Sequence, residues 1–118
     1  MKDSTLYLKH FSDFPTYTDE GSVNQFCEDI LPKKEDVDGR VGIGVCRING
    51  PGRVVEGCHD KWTQYFVVIS GSGTLYYDGK PLAVQARMIV KIPLNTKHYV
   101  ECKAHERIEY IFVNHYTE

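Results

Sequence analysis

From Val41 to Asn114 the sequence is a succession of short apolar runs, each closed by turn-forming residues. VGIGVCRI (41–48) leads into Asn49-Gly50-Pro51-Gly52, a strong turn signal. RVVEGCH follows, then TQYFVVI (63–69), then Ser70-Gly71-Ser72-Gly73. TLYYD (74–78) and PLAVQA (81–86) flank Asp78-Gly79, a dipeptide suited to a tight hairpin because it tolerates positive backbone dihedrals. MIVKI (88–92) ends at Pro93, and a loop from Pro93 to Lys97 delivers His98. KHYVEC and RIEYIFVN (107–114) complete the series. About eight short strands at regular spacing predict an all-β sandwich or barrel. No internal repeat or low-complexity segment interrupts the pattern.

The first third reads differently. TLYLKHF (5–11) alternates loosely and predicts an opening edge strand. Ser22 followed by Gln25 has the form of a helix-capping box, so a short N-terminal helix is predicted from Val23 to about Ile30, stopping before Pro32. LPKKEDVDGR is a charged surface connection, too short to separate two domains. A chain of 118 residues is therefore expected to be one domain, 1–118, with an N-terminal arm over 1–40 and a barrel over 41–114.

Composition narrows the partners. The net charge is -2 and the isoelectric point about 6.2, with charged residues at 25%. Nucleic acid and anionic membranes both demand a concentrated basic surface, so neither is expected as a partner. The opening MKDSTLYLKHF lacks the apolar core of a signal peptide, which predicts a cytoplasmic protein without a membrane span. Cys27, Cys46, Cys58 and Cys102 form no CxxC pair and are expected to be reduced and mostly buried. The histidines at 10, 59, 98, 105 and 115 form no HxH, HExxH or HxxxH pair, so local spacing alone reveals no metal site.

Alternation along TQYFVVI carries a hint about assembly. If Gln64 points into a barrel, Phe66 and Val68 follow it, and Tyr65, Val67 and Ile69 lie outside. An apolar outer face needs cover from the N-terminal helix, a second protomer or both, and a homodimer is expected.

From roughly Gly42 to Phe112 the chain resembles the small single-domain cupins, whose double-stranded β-helix is a jelly-roll barrel. Their first motif runs Gly, five residues, His-x-His, three or four residues, Glu, six residues, Gly. Gln64 stands at the Glu position, and Gly71 follows after six residues. Their second motif runs Gly, five residues, Pro-x-Gly, two residues, His, three residues, Asn. Arg87, Pro93, Asn95, His98 and Cys102 occupy those places in order.

The first motif fits in two registers. With four residues before Gln64, His59 is the second histidine and Gly57 replaces the first. With three, Cys58 and Asp60 replace both histidines, and His59 faces the other way. The first register keeps an imidazole in the site and is adopted here. The resemblance then implies a divalent metal ion (zinc, iron, nickel or manganese) held by His59, Gln64 and His98, with open positions for water or substrate. The implied activity is isomerase or lyase chemistry on a small carbonyl or carbohydrate compound. Three other readings stay open: a metal-free, ligand-binding sensory barrel without catalysis, metal-free epimerase-type acid/base catalysis by His59 or His98 with a tyrosine, and a dioxygenase. Trp62 reads equally well as a mouth residue or as loop packing, and Tyr99 or Tyr110 as a residue reaching the pocket.

Overall fold

The computed structural model describes residues 6–117. These form seven strands: β1 (Val23–Leu31), β2 (Val41–Arg53), β3 (Trp62–Tyr77), β4 (Lys80–Gln85), β5 (Ile89–Ile92), β6 (His98–Cys102) and β7 (Arg107–Tyr116). All pair antiparallel. One wall runs β1–β2–β7–β3–β5 and the other β2–β6–β3–β4, so β2 and β3 belong to both and curl the sheet into a jelly-roll barrel.

The sharing of β2 and β3 corrects two sequence expectations. Asn49 to Gly52 and Ser70 to Gly73 read as turns, yet β2 and β3 run through both. β2 pairs β7 as far as Asn49, bends at the cis Gly50–Pro51 bond, and pairs β6 at Gly52 and Arg53. β3 pairs β5 up to Val67 and β7 up to Gly71, with a register shift between Val68 and Ser70, then joins β4 from Ser72 and β6 from Thr74. Residues that punctuate an open meander act here as barrel corners, where a strand leaves one neighbour for another. The expected strand over RVVEGCH is likewise divided: Arg53 closes β2, and 54–61 form a loop with a single bridge, Gly57 to His98.

The N-terminal helix expected from Val23 to Ile30 is strand β1 instead. Its capping box is spent on other contacts. Ser22 Oγ accepts from the Val55 N–H at 2.8 Å, and the Gln25 side chain is buried against Asp19. Local spacing favoured a helix, but the open edge of β2 offers a full ladder of backbone partners, and that tertiary pairing wins. Helical structure in this third is confined to two 3₁₀ turns, Phe11–Asp13 and Lys33–Glu35. The strand expected over 5–11 starts outside the described residues, and 6–10 carry no strand.

Alternation along β3 is as expected: Gln64, Phe66 and Val68 are buried, while Val67 and Ile69 are exposed. Inside, Ile48, Leu75, Ile92, Val100 and Ile108 close the core. Outside, Arg47 on β2 grips Glu28 on β1 with two 2.7 Å hydrogen bonds, and Thr16 Oγ1 donates to the same carboxylate at 2.6 Å. This clip holds the Glu28 carboxyl below its ordinary range, the Arg47 hydrogen bonds being the main cause and burial opposing them. Among the described residues, no helix is long and apolar enough to cross a membrane.

Candidate functional site

The barrel encloses a cavity of about 540 Å³. Strand register stacks its lining in layers. Gln64 on β3 lies beside Asn114 on β7, the next inward pair is Phe66 with Phe112, and the third is Val68 with Tyr110 and Cys46. Gly44 is required in the middle layer, because a Cβ there would overlap the Phe112 ring. Removing that one side chain leaves room for an aromatic wall.

His59 and His98 reach the first layer from opposite sides of the mouth. His98 opens β6, and its backbone exchanges two hydrogen bonds with Gly57, of 2.9 and 3.0 Å. His59 follows two residues later, and its carbonyl accepts from the Asn95 N–H at 2.7 Å, which ties the 93–97 loop to the 54–61 loop. Asn95 and Arg87 both have positive φ, 60° and 78°. Asn bears that conformation well and Arg poorly, which explains why glycine suits these two places in the cupin pattern.

His59 lines the cavity, whereas Cys58 and Asp60 are exposed. Its ring stacks on Trp62 at 4.4 Å and meets the His98 ring edge-on at 5.1 Å. Burial is the main cause lowering both imidazole pKa values, and the neighbouring His98 adds to it for His59. Both rings are therefore neutral at pH 7, with lone pairs available.

A chain of hydrogen bonds orients the buried ring. His98 Nδ1 lies 2.9 Å from the Thr96 carbonyl, which can only accept, so Nδ1 carries the proton. The Nε2 lone pair then faces Gln64 Oε1, another acceptor, at 2.9 Å. Gln64 Nε2 donates in turn to Asn114 Oδ1 at 2.8 Å. Two acceptors this close need a shared positive partner or a rotated amide. A second N–H proton on the ring is disfavoured by the lowered pKa. Gln64 Oε1 and His98 Nε2 are the atoms that would hold a common cation, with the His59 ring beside them. The set is neutral. Among the described residues no group of three or more His, Cys, Asp or Glu is placed to hold a metal, so any ion here rests on the amide oxygen as well as the imidazoles.

Several lining residues were not singled out by the sequence, or only weakly. Asn114 was missed, although alternation through Ile108, Tyr110 and Phe112 points it inward. Thr96, which fixes the His98 tautomer, was missed because the contact runs through its carbonyl. Trp62 is a lining residue, and its buried indole N–H has no partner among the described residues. Tyr99 and Tyr110 both line the cavity. His10, His105 and His115 are exposed and stand outside it.

Among curated proteins, none matches this sequence. Solved structures do match in fold. The polyketide cyclase RemF from Streptomyces resistomycificus superposes with a TM-score of 0.83 at 16% identity, covering 94% of this chain and 80% of that one. A predicted oxalate decarboxylase from Thermotoga maritima gives 0.82 at 13% identity, covering 93% and 99%. A cupin-like protein from Thermotoga maritima gives 0.71 at 19% identity, covering 91% and 75%. The sequence profile of the Cupin domain family matches residues 48–114, from the inner end of β2 through Gln64 and His98 to Asn114. With that match spanning more than half of the chain and the jelly-roll barrel around it, the protein belongs to the cupin domain family.

Proposed function

We propose that the cavity is the site of a metal-assisted isomerase or lyase acting on a small carbonyl or carbohydrate compound, with His59, Gln64 and His98 holding a divalent ion. The observation that supports this reading is the pair of facing acceptors, His98 Nε2 and Gln64 Oε1, at 2.9 Å. When bound, such an ion (zinc, iron, nickel or manganese) would supply Lewis-acid polarisation of a carbonyl or enediolate oxygen, or an activated water. Thr96 fixes the His98 tautomer, and Asn114 fixes the Gln64 amide, the roles that outer partners serve around ligands generally. Trp62 presents its free N–H to an acceptor on the ligand. Phe66 and Phe112 keep the far side of the site apolar and exclude water.

Protein purified without chelator and incubated in turn with the four metals is expected to retain one near stoichiometry, and His98→Ala to lose it. Stoichiometric metal on His98→Ala would falsify the assignment. A wild-type protein that stays empty favours the second reading, a ligand-binding barrel without catalysis. The continuous chain Thr96–His98–Gln64–Asn114 supports that alternative, because turning both amides closes it with every group satisfied. A dioxygenase is the weaker alternative, since the neutral donors lack the carboxylate of the two-His-one-carboxylate iron site.

Assembly and location belong to the same proposal. Val67, Ile69 and Ile89 are exposed on the outer face of β3 and β5, and Val67 pairs directly with Ile89. That apolar face suits a homodimer, and light scattering that returns a monomer at micromolar concentration counts against it. A cytoplasmic location and a small-molecule partner, with no nucleic acid or membrane, complete the reading.

A further inference from the structure

Two layers along the cavity from the histidines, four residues and about 13 Å along β3, lies a cluster that the proposed reaction does not use. Cys27 on β1 and Cys46 on β2 are directly opposed in the antiparallel ladder. Both are almost fully buried, at 2% and 1% exposure, and both line the cavity, so a small molecule reaches them from inside the barrel. Gln25 Nε2 donates to Cys27 Sγ at 3.3 Å, and Tyr110 on β7 is the strand partner of Cys46.

We propose that Cys27 and Cys46 form an oxidisable dithiol site for small hydroperoxides entering the cavity. In the first step one of the two sulfurs attacks the terminal peroxide oxygen. The O–O bond breaks, an S–O bond forms, and the leaving alkoxide or hydroxide takes up a proton as alcohol or water. In the second step the opposed thiol attacks the sulfenic sulfur, the disulfide forms and water leaves. The dithiol loses two electrons and the peroxide gains them. Directly opposed strand residues have Cα atoms about 4.5–5.5 Å apart, inside the range a disulfide spans. Cys102 is an internal control. It is equally buried, but its thiol is pushed up to about 11 by burial and no cysteine opposes it in its strand pairings.

The test uses the full chain carrying Cys58→Ser, which removes the exposed thiol. Hydrogen peroxide at neutral pH is expected to remove two hydrogens by intact mass, with peptide mapping giving the Cys27–Cys46 disulfide. Adding Cys27→Ala is expected to halt the reaction at a sulfenic acid on Cys46, trapped by dimedone. A dithiol left intact, a disulfide involving Cys102, or dimedone trapped on Cys102 overturns the proposal. The mapped disulfide in the Cys58→Ser protein decides the matter even if Cys27→Ala fails to fold. None of these readouts depends on metal or on turnover at the histidine layer.

Discussion

The two ends of the cavity are built from different materials. At the histidine layer, His59 and Trp62 sit at a loop and a strand start, and His98 opens a strand, so their positions depend on loops held by a few backbone bonds. At the thiol layer, Cys27, Cys46 and Tyr110 are mid-strand, fixed by the ladders of β1, β2 and β7. In the proposed reading one end offers neutral nitrogen and oxygen donors to a cation, and the other offers sulfur to small hydroperoxides. Phe66, Phe112 and Gly44 stand between them. The proposed ligands hang on loops and strand starts, whereas the opposed thiols are fixed within the sheet.

The largest effect on this contrast is expected from His98→Ala. Metal affinity should fall at least about 100-fold by titration calorimetry, while peroxide still closes the Cys27–Cys46 pair. Asn114→Ala is next, with affinity expected to drop about 10- to 100-fold as the Gln64 amide loses its anchor. Unchanged affinity there would show that Gln64 is not a ligand.

Gly44→Ala strikes the aromatic layer between the two ends. Its Cβ forces the Phe112 ring out of place, and a loss of about 1–3 kcal/mol is expected in urea unfolding. Wild-type stability in that variant would mean that the ring swings aside freely.

Glu28→Gln loosens only the thiol end, because the Arg47 clip joins β1 to β2 one residue from Cys27 and Cys46. A cost of about 1–3 kcal/mol is expected, as for hydrogen bonds to charged groups. The pH dependence has a definite sign. Glu28 is lowered from 4.5 in the folded state, so its contribution is complete above that value and is lost as pH falls through the lower folded pKa. The stability difference between wild type and Glu28→Gln should therefore be full near neutrality and should shrink as pH falls below 4.5. Trp62→Phe is expected to have the smallest effect, a few-fold loss of affinity for a carbonyl ligand with the ring stack on His59 preserved.

Much of this molecule is legible in its sequence. Apolar runs of strand length, Asp78-Gly79 and the alternation of Gln64, Phe66 and Val68 determine an all-β barrel and the inner face of β3, because side-chain period two is a local property. The hairpin at Asp78-Gly79 forms with positive φ at both residues, as its chemistry requires. The resemblance to the cupin motifs placed Gln64 and His98 in the site, and both line the cavity.

Tertiary structure alone decided the rest. VNQFCEDIL became a strand because the edge of β2 was there to pair it, a partner nearly 20 residues away in the chain on average and invisible to local propensity. Gly50-Pro51 and Ser70 to Gly73 became corners because closing the barrel requires β2 and β3 to change neighbours partway along. The opposition of Cys27 to Cys46 follows from strand register, and that of His98 Nε2 to Gln64 Oε1 from closure of the barrel around them. Register is a relation between distant segments, so no reading of either segment by itself contains it.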